Sequence, residues 1–307
     1  MGNLEKLAGI YSSAKTEYEG LKFVGKFNEA LSAEGNYIAL SDNAVFIQKL
    51  IGSGAKLDFV YIDPPFYSGE NYSARVKDGD THKKTVVYKD KWDSLSDYLH
   101  MLLVRLFLIR DVLKDSGTVA VHLDSHAAHY VKVMLDEMFG ESNFVNEIIW
   151  SYKSGGMKGK YFARKHDTIL VYSKTKNYFF EPQKEISYNR GNQPYRFKGV
   201  EEFQDEEGKW YTLVNRKDVV AVDMVGRTSS ERTGYATQKP EKLLTILLDS
   251  FCPAGGQCAD FFAGSGSLGA AAAKSGKHFI LCDASDIAIR MMSERFDKEN
   301  ISYTIIE

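Results

Sequence analysis

Residues 257–283 read QCADFFAGSGSLGAAAAKSGKHFILCD: an apolar run, a glycine-rich turn, an alanine-rich stretch and a second apolar run that ends in an acid. Gly264, Gly266 and Gly269 have the GxGxxG spacing, and Asp283 follows Gly264 by nineteen residues. Such glycines let the backbone turn tightly against a cofactor, and an acid ending the second strand can accept hydrogen bonds from both ribose hydroxyls. The stretch predicts a strand, turn, helix and strand that bind an adenosine cofactor, with a turn used only for packing as the alternative.

The position of this unit in the chain argues against a dehydrogenase. Only 24 residues follow Asp283, whereas a nicotinamide- or flavin-binding fold continues for several further strands. The sheet must then take its other strands from upstream, where apolar runs end at Asp42, Asp63 and Asp124. We predict an α/β fold with a circularly permuted, Rossmann-like, doubly wound and mostly parallel sheet.

Hydrophobic periodicity and capping residues predict the other elements. Strands are predicted at residues 37–40, 57–62, 118–123, 258–262 and 278–282, and a strand pair at 144–152 and 168–172. Helices are predicted at 43–51, from Asp93 or Ser94 to Gly117, from Asp124 or Ser125 to Gly140, and at 240–250 and 267–275. From residue 179 to 233 periodicity is poor, which indicates an inserted module within the sheet domain.

A second motif, Asp63-Pro64-Pro65-Phe66, follows the predicted strand at 57–62. Open α/β sheets bind ligands at the carboxyl ends of their strands. Each proline lacks an N–H group and has a fixed φ, so Asp63 and the neighbouring carbonyls can project together as acceptors while Phe66 is held as a stacking surface. A rigid loop with an N-capping acid is the alternative.

The two motifs in this order resemble the amino-methylating DNA methyltransferases, in the group whose catalytic DPP(Y/F) motif precedes the FxGxG cofactor motif. Segments 37–43, 113–124, 139–150 and 234–240 are also similar to segments of that family, so the resemblance covers most of the chain. Two positions depart from its pattern. Phe66 stands where tyrosine is commoner, which keeps the ring but removes a hydroxyl, and Phe261 stands where the family often has proline.

The resemblance implies N6-adenine methylation with S-adenosylmethionine as cofactor. The adenine amine would donate to the Asp63 carboxylate and the Pro64 carbonyl, and the flipped base would stack on Phe66. Asp42 would contact the cofactor adenine and Asp283 its ribose. The implied cofactor-binding residues are Asp42, Thr237, Gln238, Lys239, Asp260, Phe262, Ala263, Gly264, Ser265, Gly266 and Asp283, and the implied catalytic residues are Asp63, Pro64, Pro65 and Phe66.

The net charge of −2 conceals a basic segment. Residues 152–200 contain eleven Lys and Arg but three Asp and Glu, a local charge of +8. Mobile cations near glycines suit DNA phosphates, with a solvated loop as the alternative. The candidates are Lys153, Lys158, Lys160, Arg164 and Lys165. Arginines that could read bases are Arg190, Arg196, Arg227 and Arg232. They lie in the irregular region where the resemblance places target recognition, residues 175–233, which is inserted into a catalytic domain of residues 1–174 and 234–307.

The polar residues 68–92 follow the catalytic motif, and they either close over the flipped base or are disordered without DNA. His122-x-Asp124-x-His126-x-x-His129 has metal-like spacing, but its strand-to-helix position favours Asp124 as an N-cap with the histidines at the surface, so no metal is expected. N4-cytosine methylation remains an alternative, although Asp rather than Ser before Pro-Pro favours adenine. A small-molecule or protein methyltransferase and a non-catalytic DNA-binding relic are more distant ones.

Composition sets the cellular context. Cys252, Cys258 and Cys282 form no CxxC spacing, which indicates reduced, buried thiols. Neither a signal peptide nor a run of about 18 apolar residues occurs, so a cytoplasmic protein is expected. The length favours a stand-alone modification enzyme acting on double-stranded DNA, as a monomer or homodimer, with a cognate restriction endonuclease as a partner to be tested.

Overall fold

The computed structural model describes residues 2–21, 25–27, 31–78, 81–153, 159–160 and 162–306. The helices are α1 (Asn3–Gly20), α2 (Asn43–Gly52), α3 (Leu95–Val112), α4 (Ala128–Phe139), α5 (Glu241–Phe251), α6 (Ser267–Lys274) and α7 (Asp286–Lys298). The strands are β1 (Tyr37–Leu40), β2 (Leu57–Ile62), β3 (Asn71–Asp78), β4 (Thr81–Lys89), β5 (Leu113–Leu123), β6 (Phe144–Ser151), β7 (His166–Ser173), β8 (Lys184–Tyr188), β9 (Glu202–Gln204), β10 (Trp210–Asn215), β11 (Val219–Ala221), β12 (Gln257–Asp260), β13 (His278–Asp283) and β14 (Thr304–Ile306).

A nine-stranded sheet organises the described chain. Its strand order is β11-β6-β7-β5-β2-β12-β13-β1-β14. Every neighbouring pair is parallel except those that involve β7, which runs antiparallel to both β5 and β6. The two strands of the glycine-rich unit, β12 and β13, lie beside the upstream strands β2 and β1. The mostly parallel, doubly wound sheet and its upstream strands are therefore confirmed.

Helices cover both faces of this sheet, because the side chains of a central strand alternate between two cores. Val60 and Ile62 of β2 face a core that includes residues of α1, α2, α3 and α4. Phe59 and Tyr61 of the same strand face a second core built with α5, α6 and α7. All six residues of β2 are buried. This strand thus holds the segment that follows it, residues 63–66, at a fixed place on the sheet edge.

Several predicted boundaries were wrong. Helix α3 begins after its Ser94 cap but ends at Val112 rather than near Gly117, because β5 already begins at Leu113. Helix α4 is preceded by Ala127, so neither Asp124 nor Ser125 is its N-cap. Strand β12 ends at Asp260 rather than at residue 262. Helix α1 was not predicted at all.

Residues 68–92 contain an antiparallel hairpin of β3 and β4, which the sequence did not predict. Within residues 175–233, β8, β10 and β9 form a separate three-stranded sheet. Strand β11, from the same segment, pairs with β6 of the main sheet. In the described part of the chain, no helix is both long enough and apolar enough to cross a membrane.

Candidate active site

A cleft of about 260 Å³ opens at the carboxyl ends of β1, β2, β12 and β13. The two sequence motifs meet there, because Asp63 of the first and Gly264 of the second both line it. Other lining residues from the prediction are Asp42, Pro65, Thr237, Lys239, Asp260, Phe262, Ala263, Ser265 and Asp283. Tyr61, Trp92, Met101, Arg105 and Tyr235 line it without having been predicted. The parallel strands thus bring together residues as far apart in the chain as Asp42 and Asp283.

The glycine-rich turn has a shape that only glycine tolerates. Gly264 and Gly266 have φ angles of +50° and +71°, in the left-handed region that side chains disfavour. A Cβ atom on Gly264 would lie 3.0 Å from the Tyr235 ring, and one on Gly266 would lie 2.7 Å from Met292 Cγ. The turn therefore depends on both the conformational freedom and the small size of glycine.

Asp283 closes the turn from the end of β13. Its Oδ2 accepts a hydrogen bond from the Gly264 amide at 2.9 Å, and its Oδ1 accepts one from the Ser285 amide at 2.9 Å. Each carboxylate oxygen can accept a further bond. A ribose diol needs such a pair of acceptors beside a glycine turn, so these residues fit an adenosine cofactor. Burial raises the pKa of Asp283 above its usual range.

The cleft is acidic, with two basic side chains among its walls. Arg105 Nη2 donates to Asp42 Oδ2 at 3.1 Å, while Asp42 Oδ1 caps α2 by accepting from the Ala44 amide at 2.9 Å. Asp260 accepts from the Phe262 amide at 2.9 Å. Burial, with the nearby carboxylates Asp63 and Asp283, raises the pKa of Asp260 well above its usual range. Asp42 and Asp63 pair with the two cations, Arg105 and Lys239, so the acidic side chains of the cleft serve a ligand chiefly as hydrogen-bond acceptors.

Asp63 is held on one side only. Lys239 Nζ donates to Asp63 Oδ2 and lies 5.0 Å from the centroid of the Phe66 ring. Oδ1 of Asp63 is buried and has no hydrogen-bond partner within the part of the chain that the structure describes. Lys239, which the resemblance placed with the cofactor, thus contacts the catalytic motif directly.

A buried polar chain supports Phe66. The ring of Phe66 stacks on His122, with centroids 5.8 Å apart. His122 Nδ1 is 2.7 Å from the Tyr61 hydroxyl and its Nε2 is 3.2 Å from Asp167 Oδ2. Although burial alone would raise the pKa of Asp167, the hydrogen bond and charge of His122 lower it overall. The prediction that the histidines lie at the surface was wrong for His122, which is completely buried.

The segment before α5 folds back on itself through Gln238. Its Oε1 accepts from the amide and hydroxyl of Thr233, at 2.8 and 2.9 Å, and its Nε2 donates to the Glu231 carbonyl at 2.6 Å. Gln238 is therefore engaged within its own segment and does not line the cleft, nor do Pro64, Phe66 and Gly266.

The predicted DNA-contacting residues lie away from the cleft lining. Lys153 is 90% exposed, and its Nζ is 3.6 Å from Asp223. Lys165 is half-buried and donates to the Lys153 carbonyl at 3.2 Å. Lys158 falls outside the described residues. Exposed positions are occupied by Lys160, Arg164, Arg190, Arg196, Arg227 and Arg232.

The remaining sequence predictions concern the histidine-rich segment around Asp124 and the three cysteines. Asp124 Oδ2 is 2.6 Å from His126 Nδ1, and no cluster of three potential metal ligands occurs among the described residues. The three cysteines are free and buried, as predicted. Burial raises the pKa of the Cys252 thiol to about 12.

Comparison with known proteins identifies a family that matches most of the chain. Residues 57–294, which include both motifs, match the DNA methylase family N6_N4_Mtase. The type II methyltransferase M.KpnI of Klebsiella pneumoniae is 29% identical over 177 residues, which cover 57% of this chain and 40% of that protein. The DNA adenine methyltransferase YhdJ of Escherichia coli is 25% identical over 256 residues, 78% of this chain and 76% of that protein. The chain spans less than half of the length of M.KpnI.

A solved structure shares the fold. The PvuII DNA methyltransferase, described as cytosine-N4-specific, superposes with a TM-score of 0.58 at 15% identity, covering 92% of each chain. At this identity the similarity concerns the arrangement of helices and strands.

Proposed function

This chain belongs to the N6_N4_Mtase family of DNA methylases, and we propose that it transfers a methyl group from S-adenosylmethionine to the N6 amino group of an adenine in double-stranded DNA. The observation that carries the proposal is the Oδ1 atom of Asp63 in the cleft wall, which has no donor among the residues that the structure describes. A buried acceptor without a donor is costly, so such an atom indicates a missing partner. The exocyclic amine of a base would be that donor.

The cofactor would lie along the glycine turn, with Asp283 accepting from its ribose and Asp42 beside its adenine. Gly264 permits close approach of the backbone, and the acidic side chains of the lining offer acceptors to the polar groups of the cofactor. When bound, the cofactor supplies an electrophilic methyl group. Asp63, at the end of the neighbouring strand β2, faces the same cleft, so the nucleophile and the methyl group can be held together.

Asp63 and Pro64 would prepare the amine for attack. The amine lone pair is delocalised into the ring, and donation of its two hydrogens to Asp63 Oδ1 and the Pro64 carbonyl concentrates electron density on nitrogen. The bound cofactor would supply the methyl group to this nitrogen and would keep the electron pair of the broken carbon–sulfur bond. The nitrogen proton passes to the Asp63 carboxylate. Lys239 remains on Oδ2 and leaves Oδ1 to the amine.

The base must leave the duplex to reach this site, because its amine is inaccessible inside a stacked helix. Phe66 would receive it as a stacking platform. Its ring already rests on His122, which Tyr61 and Asp167 fix from both ring nitrogens. A platform held in this way offers an aromatic face of defined orientation, which favours in-line attack.

Adenine is proposed over cytosine because aspartate rather than serine precedes the two prolines. We further propose that residues 175–233 recognise the target sequence and that the basic residues around β6 and β7 contact phosphates. Type II and type III restriction-modification methyltransferases are among the relatives, which supports a restriction endonuclease as a functional partner.

Methyl transfer with identification of the product tests this function. The purified chain is incubated with S-adenosylmethionine tritiated in its methyl group and with polymerase-amplified, unmethylated DNA of mixed sequence, and the DNA is digested to nucleosides. Label in N6-methyldeoxyadenosine is expected, and a reaction without DNA is the control. Label in N4-methyldeoxycytidine would show that the target base is cytosine and not adenine. Unlabelled DNA would contradict the proposal.

A further inference from the structure

A buried carboxylate outside both motifs holds the turn that follows the catalytic motif. Asp90 is completely buried at the end of the β3–β4 hairpin, 24 residues after Phe66. It does not line the cleft, and no sequence motif includes it. Its carboxylate is nevertheless hydrogen-bonded directly to the backbone of residues 66–68.

The Asp90 carboxylate accepts three consecutive backbone amides. Oδ2 accepts from the Phe66 amide at 3.1 Å and from the Ser68 amide at 2.7 Å, and Oδ1 accepts from the Tyr67 amide at 3.1 Å. Two side chains complete the set: Ser68 Oγ donates to Oδ2 at 2.7 Å and Trp92 Nε1 donates to Oδ1 at 3.0 Å. Hydrogen bonds to an ionised acceptor are stronger than neutral ones.

The turn needs such support because its backbone is unusual. Tyr67 has a φ of +60°, a left-handed conformation that is uncommon for a residue with a side chain and persists only where the surroundings enforce it. The backbone of Asp90 adds two further links, since its carbonyl accepts from the Gly69 amide at 3.0 Å and its amide donates to the Glu70 carbonyl at 2.9 Å. The turn is thus fastened through both the side chain and the main chain of one residue.

We propose that Asp90 is a positioning residue for methyl transfer, holding residues 66–68 so that the Phe66 ring and the preceding Asp63 keep their productive orientation. This inference rests on the proposed function, because it names what keeps that same site in order. Asp90 does not line the cleft; it acts through the backbone of Phe66, whose amide it fixes. Displacement of a catalytic group by about 1 Å can reduce a rate about 100-fold.

Asp90→Asn is the sharpest substitution, because it keeps the size of the side chain and removes only one acceptor. Each carboxylate oxygen receives at least two N–H or O–H donors, so whichever oxygen becomes an NH₂ group faces donors that it cannot accept. Asp58→Asn is the matched control. Asp58 is also buried and accepts the Gln257 amide and the Lys114 ammonium, but it lies at the opposite end of β2 from the cleft.

The two variants are compared by single-turnover methyl transfer to polymerase-amplified DNA and by calorimetric titration with S-adenosylmethionine. Asp90→Asn is expected to lower the transfer rate about 100-fold with the cofactor Kd within twofold of the unaltered chain, whereas Asp58→Asn lowers the melting temperature without lowering the rate. Equal rates for the two variants would overturn the inference.

Two further measurements keep the test decisive. If Asp90→Asn does not fold, Ser68→Ala removes one donor to Asp90, and a rate reduced about 10-fold supports the inference while an unchanged rate overturns it. If the unaltered chain transfers no methyl group to DNA, the proposed function fails, and the anchoring itself is read from Trp92 fluorescence. A changed emission in Asp90→Asn but not in Asp58→Asn supports the anchoring, and unchanged emission in both refutes it.

Discussion

Burial of Asp260 disfavours the ionised form of its side chain. The side chain ends β12 inside the cleft wall, and its pKa lies well above the usual range, first because of burial and also because Asp63 and Asp283 are near. An acid with a raised pKa in the folded state contributes its full stability below the unfolded pKa, near 3.9, and loses it as the pH rises through the folded pKa. The ionised form therefore reduces the stability of the fold at alkaline pH.

We expect Asp260→Asn to raise the melting temperature at pH 8 and to raise it less at pH 5. The amide oxygen can still accept from the Phe262 amide, so the substitution removes the charge and keeps the contact. Each kcal/mol recovered corresponds to roughly 2 °C in a chain of this size. Thermal denaturation by circular dichroism measures the effect, with exposed Asp93→Asn as the control. A lower melting temperature at pH 8, or a gain equal at both pH values, would contradict this account.

Single residues differ in how well sequence could predict their place in the site. Asp63, Gly264 and Asp283 belong to local motifs whose chemistry depends on neighbours in the chain, and all three line the cleft. The contacts of Lys239 with Asp63 and of His122 with Asp167 join residues 176 and 45 positions apart. No local pattern encodes such pairs, because they arise only when the sheet brings distant strand ends together.

At the scale of elements, the basic segment, residues 152–200, contains two kinds of lysine: those that hydrogen-bond to the fold and those that are exposed to solvent. Lys174 Nζ donates to the Leu113 carbonyl at 2.8 Å, and Lys176 Nζ donates to the Ser142 carbonyl at 2.9 Å, so both fasten the end of β7 to its surroundings. Lys153 and Lys160, around the connection from β6 to β7, are exposed. The local charge of +8 therefore overstates the number of cations free to meet DNA.

Replacing both Lys153 and Lys160 with alanine should weaken binding to all DNA sequences alike. If each lysine neutralises one phosphate, the slope of log K against log salt should become shallower by about 0.9 per contact, or about 1.8 in total. The matched control replaces Lys174 and Lys176, which carry the same charge but serve the fold. Fluorescence anisotropy with labelled duplex DNA between 50 and about 200 mM salt gives both slopes. An unaltered slope in the first variant would show that these lysines are only solvated.

Elements were predicted well where burial is periodic and poorly where it is not. Strands β1 and β2 were located residue by residue, because short apolar runs ending in an acid leave little choice. The β3–β4 hairpin was missed, since its polar residues show no buried face in the sequence. The carboxylate of Asp90 holds the residues just before the hairpin by accepting a hydrogen bond from the Ser68 amide. Hydrophobic periodicity cannot reveal such a contact.

At the scale of the whole molecule, the order of the strands explains how two distant motifs form one cleft. Strand β2, which carries the catalytic motif, pairs with β12, which leads into the glycine turn. Strand β1, which ends at Asp42, pairs with β13, which ends at Asp283. That β12 and β13 take upstream strands as neighbours could be predicted from the apolar runs that end at Asp42 and Asp63. Their order in the sheet could not, because it is decided by packing against both helical layers.

Under the proposed function, the β2 side of the cleft binds the target amine and the β13 side binds the cofactor. Removing an acid from one side should therefore leave the other function in place. Asp283→Ala should weaken the binding of S-adenosylmethionine about 10-fold or more, because the proposed site would lose the two hydrogen bonds that Asp283 accepts from the ribose. The corresponding substitution on the β2 side, at Asp63, should lower the rate of methyl transfer and leave cofactor binding in place.

Asp63→Ala, measured by single-turnover methyl transfer to DNA and by calorimetric titration with S-adenosylmethionine, tests the central claim most directly. Its transfer rate should fall at least about 100-fold, because the acceptor for the target amine is gone, while the cofactor Kd stays within a few-fold of the unaltered chain. A near-normal transfer rate, or a lost rate explained entirely by lost cofactor binding, would contradict the assignment of Asp63 to the amine.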